Sequence, residues 1–417
     1  MSSQLSFGKL KEAVSGNAAA IRTITRLQPG GGPGSKVFPP THSGGVYAWE
    51  MRRIGNEVVP TVLLDSVQSQ ANRMEQALLE AHRANKLQFP LLQVDFSAAF
   101  PEIGIITTLD APHRIADAIF RDCDLNGTRF RDSNIGRAFE SANIRNATAL
   151  LQYCPPALLF GVWDSTGSRG GLGNKFQRAV TSEIVGIQAE KGVRTSSRID
   201  PLGITKAAEV FKTQDGDWTL DQSRAATNAK GEPLKAKPSD FIHGNIPPDL
   251  SRYNPKLYSG PLKTMHEKIE RGDVLPGGVT VDYAVQTTVL SLPALRRLRF
   301  PVAGNETPPE RNNAARTLLA AMALAAVTHL REQGYDLRSR CLLIPESDAE
   351  FELVSNNGKA EIISLDAGAA DNIFREAVQQ ATNTNLPWQT EVIILTPQPR
   401  LVDLVRRSRE VRDTEEE

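Results

Sequence analysis

The chain has 417 residues, 40% hydrophobic and 23% charged, a globular composition long enough for a sizeable core and two lobes. Lys+Arg and Asp+Glu are equal at 48 each, so bulk charge does not draw nucleic acid to this protein, and such a partner would need basic residues segregated on one surface. Cys123, Cys154 and Cys341 are scattered and form no CxxC pair, which argues against a disulfide framework or zinc site and fits a reducing cytoplasm.

The opening residues contain no apolar h-region. Ala18 to Leu27 reads as a first strand, followed by a Gly-rich loop from Gln28 to Lys36. Val46 to Arg53 and Val58 to Leu64 form two strands around a Gly55-Asn56 turn. A helix follows from Asp65 to about Ala84, and strand pair plus helix suggest an α+β unit. Gln88 to Thr108 is apolar with interruptions, and Pro112 to Arg121 reads as a short helix. Asp122 to Asn146 is polar and turn-rich. Ala147 to Tyr153 reads as helix, stopped by Pro155-Pro156, and Ala157 to Trp163 as a buried strand. A second Gly-rich loop spans Asp164 to Lys175. Phe176 to Ile187 fits strand or helix equally.

Thr213 to Gly278 changes composition: it is rich in Pro, Gly, Asp, Lys and Ser, with Trp218, Phe241, Tyr253 and Tyr258 among its few large apolar residues. It is expected to be a projecting insertion, a partner-binding arm or a disordered stretch. Order returns at Val279 to Leu292. A helix follows Pro308-Pro309 and runs to Gln333, with Gly334 as its C-cap. Its apolar run, Thr317 to Leu330, falls short of the about 20 residues a membrane span needs, so it reads as buried. Cys341 to Ile344, Phe351 to Val354, Glu361 to Leu365 and Glu391 to Leu395 read as strands, Ala369 to Ala381 as helix, and Leu401 onward as a charged tail. The expected division is 1–212, an insertion at 213–278, 279–400, and the tail at 401–417.

Catalytic motifs fail one by one. In the first Gly-rich loop Ser35 separates Gly34 from Lys36 and Val37 follows, so no lysine-hydroxyl pair reaches phosphate and magnesium. The second loop, Arg169 to Lys175, lacks the third glycine of a dinucleotide fingerprint. There is no GxSxG elbow, and His42, His82, His113, His243, His266 and His329 form no HxxxH or HExxH pair. The reading is a protein without catalytic residues, metal or cofactor.

Basic residues do segregate. Between Ile21 and Arg53, Arg22, Arg26, Lys36, Arg52 and Arg53 face only Glu50. Between Thr166 and Arg198, Arg169, Lys175, Arg178, Lys191, Arg194 and Arg198 face Glu183 and Glu190. Each segment holds a Gly-rich loop whose backbone N–H groups can approach phosphate. Phe38, Tyr47, Trp49, Trp163 and Phe176 interleave and offer stacking surfaces. On the helix from Asp65, that residue caps and Gln68 stands in the capping-box position. Val67, Ala71, Met74, Leu78 and Ala81 make the buried stripe, while Ser66, Ser69, Gln70 and Arg73 share a separate face near the positive end of the helix dipole.

The runs GGPGSKVFPPTHSGGVYAWEMRR and VLLDSVQSQANRMEQAL, with FGVWDSTGSRGGLGNKFQRAVTSEIVG from Phe160 to Gly186, resemble the backbone subunit of CRISPR Cascade complexes. This is the Cas-seven family of RAMP proteins, in its type I-G (formerly I-U, Csb-type) form. The resemblance covers the N-terminal half well and the C-terminal third by length and general pattern. It implies an RRM-like, ferredoxin-type palm with insertions forming fingers and thumb, the thumb falling in Thr213–Gly278 or in Gln88–Thr108. It implies copies stacked head to tail along a guide RNA (crRNA) that is presented to a target DNA strand, beside a large subunit and a fused Cas-five/Cas-six-type subunit. Ser69, Gln70 and Arg73 match the family's Ser-Gln element and following basic residue. The RRM signature of stacking aromatics is not evident, so loops, helix and thumb are the expected contacts. The competing expectations are a metal-dependent RAMP-type ribonuclease and a protein-only scaffold.

Overall fold

In a computed structural model the chain is described over residues 3–43, 46–167, 175–198, 201–202, 204, 208–228, 230–237, 240–241, 246–250, 276–302 and 306–416, with backbone alone at 196, 198, 246–250, 276 and 412–416. In chain order, β1 (Ser3–Gln4) leads to α1 (Phe7–Ser15) and β2 (Ala18–Pro29). The hairpin of β3 (Trp49–Ile54) and β4 (Glu57–Asp65) turns on Gly55, whose φ of 60° suits glycine, and runs into α2 (Val67–Arg83). The short strands β5 (Leu92–Asp95), β6 (Ile105–Thr107), β7 (Cys123–Leu125) and β8 (Thr128–Arg129) precede β9 (Val180–Ile187) and β10 (Tyr283–Ser291). Then come α3 (Pro309–Gln333), β11 (Leu342–Pro345), β12 (Phe351–Ser355), β13 (Ala360–Ser364), α4 (Ala367–Asn383), β14 (Ile393–Pro397) and α5 (Pro399–Glu416).

The main sheet has the order β1-β13-β12-β2-β10-β9-β4-β3, with β11 also pairing β2. Its neighbours are antiparallel except β1 beside β13. At its centre β2, α2, β9, β10, α3 and β12 occur in the chain order β-α-β-β-α-β, with other elements inserted between them, and the four strands lie in the order last-first-third-second. The fold is therefore α+β. Alternation explains the sheet's two faces: in β2, Ile21, Thr23, Thr25 and Leu27 are buried, while Arg22, Ile24 and Arg26 point away. In β10, Ala284, Gln286, Thr288 and Leu290 share the buried side. α2, α3, α1 and α4 pack into this side, and α3 is so enclosed that every residue from Ala314 to Leu330 is buried. The C-cap of α3 is Gly334, as its place in the sequence predicts, with φ 78°.

Several expectations change. Ala157–Trp163 is not a strand: Pro156 opens a one-turn helix, Pro156–Phe160, and only Val162–Trp163 is extended. Proline at a first helical position presets φ, and five buried apolar residues satisfy either conformation. Phe176–Ile187 resolves as strand from Val180, and the turn-rich 122–146 stretch contains the β7–β8 hairpin and a helix, Asn134–Ser141, capped by Ser133. Gln88–Thr108 does not project, because Phe89, Leu91, Leu92, Val94, Phe96 and Phe100 join the main core. Its strands belong to a second sheet ordered β6-β5-β14-β7-β8.

The described residues of the insertion between β9 and β10 include paired strands. Glu190–Val193 pairs with Pro276–Thr280, then Thr195–Arg198 with Ile246–Leu250, so an antiparallel ribbon carries it from Glu190 onward. Farther along, Phe211–Lys212 pairs with Trp218–Thr219, and Phe241 is buried. Tyr253 and Tyr258 lie outside the described residues. The three cysteines are free and buried, and burial pushes the Cys154 thiol up to about 11. Among the described residues no helix is long and apolar enough to cross a membrane.

Candidate nucleic-acid interface

The junction of β4 and α2 organises the site. Asp65 is the last residue of β4, and its side chain is fully buried rather than capping the helix. The cap is Ser66, whose hydroxyl accepts from the Ser69 amide at 3.2 Å. A buried carboxylate needs compensation, and this one is saturated. Asp65 Oδ1 accepts from the Ser69 hydroxyl at 2.8 Å and from Arg338 at 3.1 Å. Its Oδ2 accepts from the Gln70 amide at 2.6 Å and from Arg73 Nε at 3.0 Å.

Gln70 thus does not share a solvated face with Ser66, Ser69 and Arg73. It is 1% exposed, and its carbonyl accepts from Ser182 at 2.9 Å and Gln286 at 2.8 Å. Ser182 also bonds Thr288, and the Tyr335 hydroxyl donates to Gln286. The helical spacing that groups Gln70 with Arg73 ignores how closely the sheet approaches the first turn of α2. The buried side takes in Gln70 and Glu75 beyond the expected stripe, and it leaves Val67 half-buried at the groove.

Beside the first turn of α2 runs a groove of about 710 Å³. Val67, Gln68, Ala71 and Asn72 form one wall; 112–114, 160–163 and 175–178 form the other. Val162–Trp163 pairs with Lys175–Phe176, so the stems of the second Gly-rich loop stand at the groove, while its tip, including Arg169, lies outside the described residues. Trp163 is 52% exposed, with Lys175 Nζ 5.7 Å from its ring centroid. Arg178 is exposed. Neither Lys175 nor Arg178 has a carboxylate within ion-pair distance among the described residues. The wall rests on a buried pair: Arg114 donates to Glu75 at 2.5 and 2.7 Å and to the Gly161 carbonyl at 2.8 Å. Burial pushes the Glu75 carboxyl up to about 7, against the pull of the Arg114 charge.

The other expected cations fall elsewhere. Arg22, Arg26 and Arg52 stand on the sheet face away from the helices, each held by an acid. Arg22 pairs with Glu352, Arg26 with Glu346 at 2.9 Å while lying 3.7 Å over the Tyr283 ring, and Arg52 with Glu50 and Glu183, both at 2.6 Å. The bonds that Arg52 donates to Glu183 hold its guanidinium further above its ordinary value. Arg53 is exposed at the hairpin end, Arg194 is exposed on the ribbon, and the Arg198 side chain is outside the described residues. Lys36 is exposed and packs over Gly192 at the ribbon base, where an added Cβ would lie 2.8 Å from its ammonium. Of the interleaved aromatics, Tyr47 and Phe176 are core residues and Trp163 is open.

Sequence reasoning missed Arg338 and Arg340. They follow a short strand in the C-terminal third, where no local excess of basic residues signals them. The fold brings their loop against Phe38: the Phe38 amide donates to the Arg340 carbonyl at 3.1 Å, and the Arg340 guanidinium lies 4.2 Å over the Phe38 ring.

An α+β protein with an open, cationic, aromatic-edged groove at a helix N-terminus is the class that fold and site define. Residues 21–191 match the model of a family described as CRISPR-associated protein GSU0053 (Cas_GSU0053), which indicates a CRISPR-associated protein. The matched stretch runs from β2 to the foot of the ribbon and contains every groove residue named above. No curated protein matches the chain.

Proposed function

We propose that this protein is a guide-RNA-binding backbone subunit of a CRISPR surveillance complex of the Cascade kind, and that it grips RNA without cutting it. The observation that carries this reading is the groove: two unpaired cations and an exposed tryptophan beside the first turn of α2, inside the segment that matches a CRISPR-associated family. Phosphates suit Lys175 and Arg178, an unstacked base suits Trp163, and none of these contacts reads sequence. The β-α-β-β-α-β core supports the reading of an RRM-like palm, and the ribbon from Glu190 is the segment best shaped to be a thumb. Head-to-tail copies, a large subunit and a target DNA strand belong to the same proposal.

Purification of the full chain from cells carrying a CRISPR array tests it. A complex with protected RNA of defined length is the expected result. Protein free of nucleic acid at low salt would overturn the reading, and regular cleavage of bound RNA would overturn its non-catalytic part.

A further inference from the structure

Two guanidinium groups share one carboxylate at the β4–α2 junction, on the side of the helix away from the groove. Arg73 Nε and Arg338 both reach Asp65, at 3.0 and 3.1 Å, and Asp65 has no other counter-charge to offer. The triad therefore keeps one net positive charge. Both side chains remain partly accessible, at 29% and 26%, although Asp65 itself is sealed. Arg73 is fixed further by donating to the Leu337 carbonyl at 2.6 Å, and Arg338 by its reach toward the Phe38 carbonyl at 3.4 Å. Arg340, stacked on Phe38, adds a third guanidinium with no carboxylate partner among the described residues. Gly278 allows this packing: at φ 78° it lies against the Phe38 ring, and an added Cβ would come within 2.8 Å of it.

We infer that Arg73, Arg338 and Arg340 form a second phosphodiester-binding site, separate from the groove, and that Asp65 is its positioning residue. The inference rests on the RNA-binding reading above. Planar guanidinium forks held in a fixed orientation match the oxygens of a phosphodiester better than a lone ammonium does. The aromatic under Arg340 and the Gly-rich loop ending at Lys36 favour a ribophosphate chain over an acidic peptide. Ser69 and Gln70 then act inward: they hold Asp65, which holds the arginines. Two of the three cations come from outside residues 21–191, so the C-terminal third contributes to binding as well as to the sheet.

The test uses the full chain, a single-stranded oligoribonucleotide of mixed sequence, and filter binding over a salt series. Arg338→Gln is expected to weaken binding about tenfold and to lower the salt slope by about 0.7, the loss of one phosphate contact. Asp65→Asn removes a negative charge, so a purely Coulombic role predicts tighter binding, whereas a positioning role predicts weaker binding with a near-normal salt slope. Thermal melting checks that each variant is folded. Unchanged affinity in folded Arg338→Gln and Arg340→Gln, with binding still lost on reversing Lys175 and Arg178, would overturn this site alone. A wild-type chain that binds no RNA would overturn both readings. An acidic peptide that binds the wild-type chain but not folded Arg338→Gln, with RNA affinity unchanged between the two, would replace the ligand with a protein partner and overturn the assignment.

Discussion

The groove beside α2 and the open face of the main sheet carry the same residue types and differ in whether those charges are spent. On the sheet, Arg22, Arg26 and Arg52 are partly accessible, yet each meets a glutamate from a distant part of the chain. In the groove, Lys175 and Arg178 form no ion pair among the described residues, although the Arg178 charge reaches the buried Glu75, and the neighbouring surface is an indole. Counting charge along a segment cannot separate these cases. The first basic segment has an excess of four positive charges in sequence, but Glu183, Glu346 and Glu352 fold back onto it. An exposed arginine is a candidate for RNA only after its carboxylates have been counted in space.

The sharpest way to break this contrast is to remove what supports the groove. Arg114→Ala strands the Glu75 carboxyl in the core and is expected to cost about 3–5 kcal/mol in denaturant unfolding. Next in size, Lys175→Glu with Arg178→Glu should weaken RNA binding about a hundredfold in filter binding. The pair lies on the surface, so the melting temperature should hardly move. Trp163→Ala should lose about 1–3 kcal/mol of affinity, and the tryptophan quenching expected when RNA is added to the wild-type chain should shrink with it. Smallest of all, Arg22→Gln with Arg26→Gln should leave RNA affinity within about twofold, since those guanidiniums are already paired, and should shift stability by about 0–1 kcal/mol per pair. A large loss of affinity there would show that the sheet face binds RNA and that the contrast is false.

Much of the scaffold was legible. β2, the β3–β4 hairpin and α3 follow from alternation, a Gly-Asn turn and a Pro-to-Gly helix frame, because each is decided by its own residues. Trp163, Lys175 and Arg178 were legible as types in a pattern, though not as neighbours of Gln68 and Asn72. Gln70 was misplaced because helical spacing describes a helix alone, whereas its carbonyl is claimed by Ser182 and Gln286 from two strands. Arg338 was invisible for a related reason: its significance is conferred by Asp65, 273 residues earlier in the chain. Local conformation is written locally, and charge compensation is not.

The sheet also sets a timetable. β2 is flanked by β10 on one side and by β11 and β12 on the other, so its edges stay unsatisfied until the last third of the protein has left the ribosome. At about 5–20 residues per second, that wait is on the order of tens of seconds, with an alternating, partly apolar strand exposed to self-pairing throughout. Arg338 arrives in the same late window. The arginine pair on Asp65 is thus completed only when the sheet is, and a chain stalled short of its last third lacks both.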